Sequence, residues 1–116
     1  MTKTEIDAVV EVYITAWSEP DSIARQKLLE SIWQADAIYT DPLTHATGRA
    51  GLDKVISHFL EGNPGAKFTV NGKIDHHHGC IRFYWTLHFA NGSEVSGMDY
   101  GEVTPDGKLC KIVGFF

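Results

Sequence analysis

The chain has little of what usually organises a small extracellular, metal-bound or membrane protein. Its 116 residues include only two cysteines, Cys80 and Cys110. They match no CxxC or zinc-type spacing, so they read as packing thiols in a reducing compartment. No apolar run approaches the ~18 residues a membrane span requires. The opening stretch, MTKTEIDAVVEVYITAW, is charged and amphipathic, which argues against a signal peptide and for a cytoplasmic location. Basic residues are also in short supply: 10 Lys and Arg stand against 15 Asp and Glu, a net charge of −5. Without a basic stripe, nucleic acid is excluded as a partner.

What is present suffices for a core. With 43% hydrophobic residues the chain fits one domain over 1–116. A chain this long buries roughly two-thirds of its unfolded surface without a metal or disulfide. Two surpluses stand out, 13 aromatic residues and 6 histidines.

The first half carries helical periodicity. Thr4 and Asp7 have capping-box spacing, and Ile6, Val9, Val10, Tyr13 and Trp17 fall on one face. Ser18-Glu19-Pro20-Asp21 ends that helix and offers Asp21 as the next cap. Ile23, Ala24, Leu28, Ile32 and Trp33 then form a second stripe ending near Gln34. A β-type run, Ala37–Thr40, leads into Asp41-Pro42 and a loop over Leu43–Arg49. A third helix fits Ala50–Glu61, with Leu52, Val55, Ile56 and Phe59 on one side.

The second half changes period from 3.6 to 2. Lys67–His78, Cys80–Ala90, Ser93–Thr104 and Lys108–Phe116 read as strands, with turns at Asn91-Gly92 and Pro105-Asp106-Gly107. Helices followed by antiparallel strands indicate an α+β fold. Ile81, Phe83, Trp85, Leu87 and Phe89 share one strand face. A two-residue Asn-Gly hairpin would set Glu94, Ser96 and Glu102 against those aromatics. A three-residue loop with a glycine bulge instead pairs Leu87 with Val95 and Phe83 with Asp99, and leaves the glutamates outside. Burial favours the second register, which puts Asp99 on the apolar face between Gly97 and Gly101. There its pKa would rise, letting it donate a hydrogen bond as a neutral acid.

Other candidates are less specific. Asp41 before Pro42 suits a turn residue as well as a catalytic carboxylate. Tyr13 lies on an apolar stripe, where its hydroxyl needs a partner or a cavity. His76 and His78 share a strand face in an HxH pattern, but no third ligand is visible and no metal is assigned. Arg82 suits a surface pair with Glu102.

Val9–Tyr13 and Trp33–Pro42, followed by Arg82–Trp85, Gly97–Tyr100 and Asp106-Gly107-Lys108 through Phe116, resemble in order the nuclear-transport-factor-two-like superfamily and its SnoaL-like branch. The resemblance implies three N-terminal helices on a strongly curved, mostly antiparallel sheet, a cone-like α+β barrel. It also implies an apolar pocket between helices and sheet, no cofactor, and a homodimer through the outer sheet face around Tyr84, Met98 and Tyr100. By similarity to ketosteroid isomerase, Asp41 corresponds to the base, with Tyr13 and neutral Asp99 as hydrogen-bond donors to an enolate oxygen. Phe59, Phe83, Trp85, Trp17 and Val95 would contact a small apolar ligand. The superfamily also includes His–Asp dehydratases, for which His45 or His78 are available, and non-catalytic binding or dimerisation domains.

Overall fold

A computed structural model describes residues 1–116. Helix α1 (Lys3–Ala16) starts two residues earlier than its sequence spacing suggests. The capping box is Thr2 with Glu5, not Thr4 with Asp7, because Thr2 has the extended backbone a cap requires while Thr4 is already helical. Asp21 caps α2 (Ser22–Ile32) as expected, accepting from the Ala24 N–H at 3.1 Å.

The buried face of α2 is rotated from the expected stripe. Arg25, Leu29 and Ile32 point inward, whereas Ile23 is 68% exposed. A buried ion pair explains the rotation. The Arg25 Nε donates to Asp53 Oδ1 at 2.7 Å, and Nη1 donates to the Glu19 carbonyl at 2.6 Å. The arginine therefore ties α2 to the preceding loop and to α3 (Gly48–Gly62). Breaking a buried pair by removing one partner typically costs about 3–5 kcal/mol, so this contact outranks the exposure of one isoleucine.

Six strands follow the order β2-β1-β6-β5-β4-β3 in one sheet: β1 (Trp33–Asp41), β2 (Thr44–Thr47), β3 (Lys67–His77), β4 (Cys80–His88), β5 (Glu94–Val103) and β6 (Leu109–Phe115). All pairs are antiparallel except β1 with β6. Trp33 both caps the C-terminus of α2, its N–H donating to the Leu29 carbonyl, and opens β1, and the expected loop after Pro42 contains β2. Register shifts interrupt the β1–β6, β3–β4 and β5–β6 ladders, and such irregularities bend a sheet. The curved sheet stays open, with β2 and β3 as free edges.

The glycine-bulge register is the one observed: Leu87 pairs with Val95 and Phe83 with Asp99. Phe89 and Ser93 close a three-residue loop in which Gly92 takes φ +89°. Gly97 is needed as well, since any Cβ there would overlap the Trp85 indole. The apolar concave face meets the helices in one core that includes Val10, Tyr13, Leu29, Trp33, Leu52, Ile56, Phe83 and Ile112. No helix is long and apolar enough to cross a membrane.

Candidate active site

The core does not fill the whole concavity. A cavity of about 350 Å³ lies between α1, α3 and the sheet. Tyr13, Ile14 and Trp17 reach it from α1, Phe59 from α3, and Phe68, Trp85 and Leu87 from β3 and β4. Twelve of its 13 lining residues are hydrophobic, and the exception is Asp99. Its walls are continuous aromatic packing. Trp17 lies 5.4 Å from Tyr39, 6.1 Å from Phe59 and 5.6 Å from Phe68 between ring centroids, and Phe68 lies 5.5 Å from Trp85.

Asp99 is 5% exposed. Its Oδ1 accepts from the Trp85 indole N–H at 3.1 Å, and Oδ2 has no protein partner. Burial is the largest influence on this carboxyl and raises its pKa from 3.8 to about 7; the Trp85 hydrogen bond opposes the rise and the nearby Asp41 charge adds to it. The Tyr13 hydroxyl is buried and also lacks a partner. Burial, then the charge of Asp99, push its pKa well above the ordinary tyrosine value; the Trp17 indole nearby opposes the rise without meeting hydrogen-bond geometry, so the hydroxyl remains a donor. A buried unpaired hydroxyl costs roughly 1–3 kcal/mol, a cost that a ligand oxygen would remove.

Asp41 sits beside the cavity and does not line it. One of its oxygens accepts from the Leu43 backbone N–H at 2.8 Å, capping the turn; the other accepts from the Tyr39 hydroxyl at 2.6 Å. Both readings of Asp-Pro therefore meet in one residue, a turn cap that is also coupled to a cavity wall through Tyr39. Gly114 makes this grouping possible. A Cβ at that position would lie 3.1 Å from Asp99 Oδ1, 3.4 Å from Asp41 Cβ and 3.6 Å from the Tyr39 hydroxyl oxygen. Tyr39, two residues before Asp41 on the same strand face, was legible from the period of 2 but carried no motif of its own.

Of the expected ligand contacts, Phe59, Trp85, Trp17 and Val95 line the cavity, with Val95 at its rim, 42% exposed. Phe83 is a correction. It is fully buried and packs edge-on against Tyr13 at 6.3 Å, behind the wall. Ile14, Tyr39, Leu43, Phe68, Leu87, Phe89 and Phe116 line the cavity in addition.

No histidine lines the cavity. His78, at φ +48°, forms a tight turn with Gly79, and His77 and His78 bring their Nδ1 atoms to 3.3 Å. No group of three His, Cys, Asp or Glu side chains is placed to hold a metal ion. Arg82 pairs with Asp75 of β3 at 2.9 Å rather than with Glu102, because Glu102 lies opposite Cys80 in the register.

Three helices closing an apolar cavity against a curved sheet, with a buried carboxyl inside, define a nuclear-transport-factor-two-like domain. The crystal structure of a "putative isomerase of the SnoaL-like family" from Agrobacterium tumefaciens str. C58 is similar over 97% of each chain, with 30% identity and a TM-score of 0.90. The chain belongs to the SnoaL-like family. More distant structures share the fold. A nuclear-transport-factor-two-like protein of unknown function from Exiguobacterium sp. 255-15 is 16% identical, with a TM-score of 0.71 over 91% of this chain and 95% of its own. A hypothetical protein with a ketosteroid isomerase-like fold from Catenulispora acidiphila DSM 44928, solved with trimethylamine, is 12% identical, with a TM-score of 0.75 over 93% and 84%. No protein-family model and no curated protein sequence matches the chain.

Proposed function

We propose that this protein is a cytoplasmic, cofactor-independent isomerase or cyclase that shifts a proton beside the carbonyl of a small apolar molecule. The observation that carries the reading is the pairing, in an otherwise apolar cavity, of a carboxyl group that titrates near neutrality with a buried, unpartnered hydroxyl. The Tyr13 hydroxyl would donate to the carbonyl oxygen and to the enolate it becomes, the type of contact that strengthens as charge develops.

The resemblance to ketosteroid isomerase assigns the base to Asp41, but the geometry supports Asp99 as the carboxyl that exchanges the proton. Asp99 has a free oxygen and lines the cavity, while both Asp41 oxygens are occupied. A pKa near the working pH suits a group that must both take and return a proton. Ionised Asp99 removes a proton from carbon, Tyr13 holds the enolate oxygen, and Asp99 returns the proton to another carbon. Protons and electrons balance without a further reactant. Asp41, held by Tyr39, contributes its negative charge, which raises the proton affinity of Asp99.

The test is deuterium incorporation into 2-tetralone, an apolar enolisable ketone, followed by NMR in heavy water. The wild type is expected to accelerate exchange above buffer and Asp99→Asn to abolish the acceleration. Binding of the ketone without accelerated exchange would leave a non-catalytic binding domain. The outer sheet face supports a homodimer, since Ile38, Tyr84 and Phe115 are 38%, 48% and 54% exposed there. Light scattering of a Tyr84→Lys variant tests it, with a shift to monomer expected.

A further inference from the structure

A second space adjoins the apolar cavity. Trp17, Leu43 and Phe59 line it and also line a second, wider depression of about 1060 Å³ between α3 and the β1–β2 hairpin. The two spaces differ in chemistry. The inner one has a single carboxyl group, whereas the outer one is lined by Thr44, His45, Lys54, His58, Glu61 and Asn63 among its residues. On α3, Lys54 and His58 stand one turn apart on the same face, and His45 faces the same space from β2. None of the three is in an ion pair. The acid of the depression, Glu61, lies one turn beyond His58 and two turns beyond Lys54, about 10 Å from Lys54 along the helix axis, so Lys54 is the cation that stands clear of it. Its carboxylate accepts from the Ser57 hydroxyl at 3.3 Å.

We propose that the outer depression is a subsite for an anionic arm of the ligand, so that the substrate class is an apolar carbonyl body carrying an acidic tail. This rests on the reading that the cavity takes the apolar body. Electrostatics then allows one orientation. An anion cannot enter the cavity without meeting Asp99 and the adjacent Asp41 in a poorly solvated space. At the rim the same anion meets Lys54, with His45 and His58 as further donors. A chain of net charge −5 repels anions at long range, so a local cation beside the cavity mouth is what selects the tail. The body therefore enters carbonyl first, and the acid stays outside, past Leu43.

Two fluorescent probes with one skeleton test the assignment. N-phenyl-1-naphthylamine is neutral, and 8-anilino-1-naphthalenesulfonate adds an acidic group to the same aromatic body. Titrated into the wild-type protein at low salt, the sulfonate is expected to bind roughly three- to fivefold tighter, the scale of a partly exposed ion pair. Raising the salt to about 0.5 M removes that preference by screening. Lys54→Glu reverses the preference and leaves the neutral probe's affinity unchanged, which also shows the variant to be folded; Lys54→Gln lies between. Equal affinities in the wild type, or a Lys54→Glu effect of the same size on both probes, overturn the subsite while leaving the cavity reading intact. Failure of both probes to bind overturns the two together.

Discussion

Replacing Asp99 by asparagine separates the cost of the buried carboxyl from its use. Asparagine keeps the shape and the acceptor oxygen for the Trp85 indole but cannot ionise. In the folded protein the Asp99 pKa is raised from 3.8 to about 7, principally by burial. Between those values the folded state holds a proton that the unfolded chain has released, so stability falls as pH rises. Below the lower value both states are protonated and the cost vanishes; above the upper value both are ionised and the cost is constant. A displacement of about 3 pKa units corresponds to about 4 kcal/mol at full ionisation. That is a large share of the roughly 5–15 kcal/mol by which a domain is stable.

The assay is urea unfolding of wild type and Asp99→Asn across a pH series. Taking the difference cancels every other titrating group the two proteins share. The variant should match the wild type below about pH 3 and exceed it increasingly up to about pH 7. Above that it should keep a constant advantage of about 4 kcal/mol, the sign and window following from a raised carboxyl pKa. Proton-transfer activity should be lost in the same variant, a trade of function for stability. A stability difference independent of pH, or an advantage confined to acid, would refute the account of Asp99 as a buried carboxyl titrating near neutrality.

Three further expectations follow from the same geometry. Tyr13→Phe removes a buried hydroxyl that has no partner, so thermal unfolding should show stability unchanged or raised by about 1 kcal/mol, while affinity for an apolar ketone falls. Gly97→Ala forces the Trp85 indole to move and should cost about 1–3 kcal/mol, read by urea unfolding, with a red-shifted tryptophan emission as Trp85 meets water. Arg25→Met leaves Asp53 without its arginine partner and frees the Glu19 carbonyl. It should destabilise by about 3 kcal/mol or more, and Arg25→Met with Asp53→Leu should recover most of that loss in a double-mutant cycle.

Much of this architecture could be read from one sequence because alternation carries register. On β4 the apolar set Ile81, Phe83, Trp85 and Leu87 leaves one pairing with β5 that keeps Glu94 and Glu102 out of the core. That pairing turns Asp99 inward. The α2 face was misread for an equally physical reason. Pattern reading treats arginine as solvent-facing, but Arg25 is buried because Asp53, 28 residues away, neutralises it. Arg82 followed the same logic on the surface, taking Asp75 from a neighbouring strand whose register no local signal specified.

Phe59 and Phe83 illustrate the limit at the site. Both are aromatic residues on apolar stripes, yet one lines the cavity and the other packs behind its wall. A lining residue and a core residue obey the same burial rule, and only the curvature of the sheet relative to the helices separates them.

The sequence by itself determined the α+β order of elements, the strand register, the inward turn of Asp99 and the family, because these depend on local periodicity and on which side chains tolerate burial. Tertiary structure alone decided that the concavity is left partly empty and that Asp41, held locally by Tyr39 and the Leu43 N–H, lies beside the cavity instead of lining it. It also decided that the Tyr13 hydroxyl is left without a partner. Those features depend on how segments far apart in the chain pack around the bent sheet, which no spacing within one segment encodes.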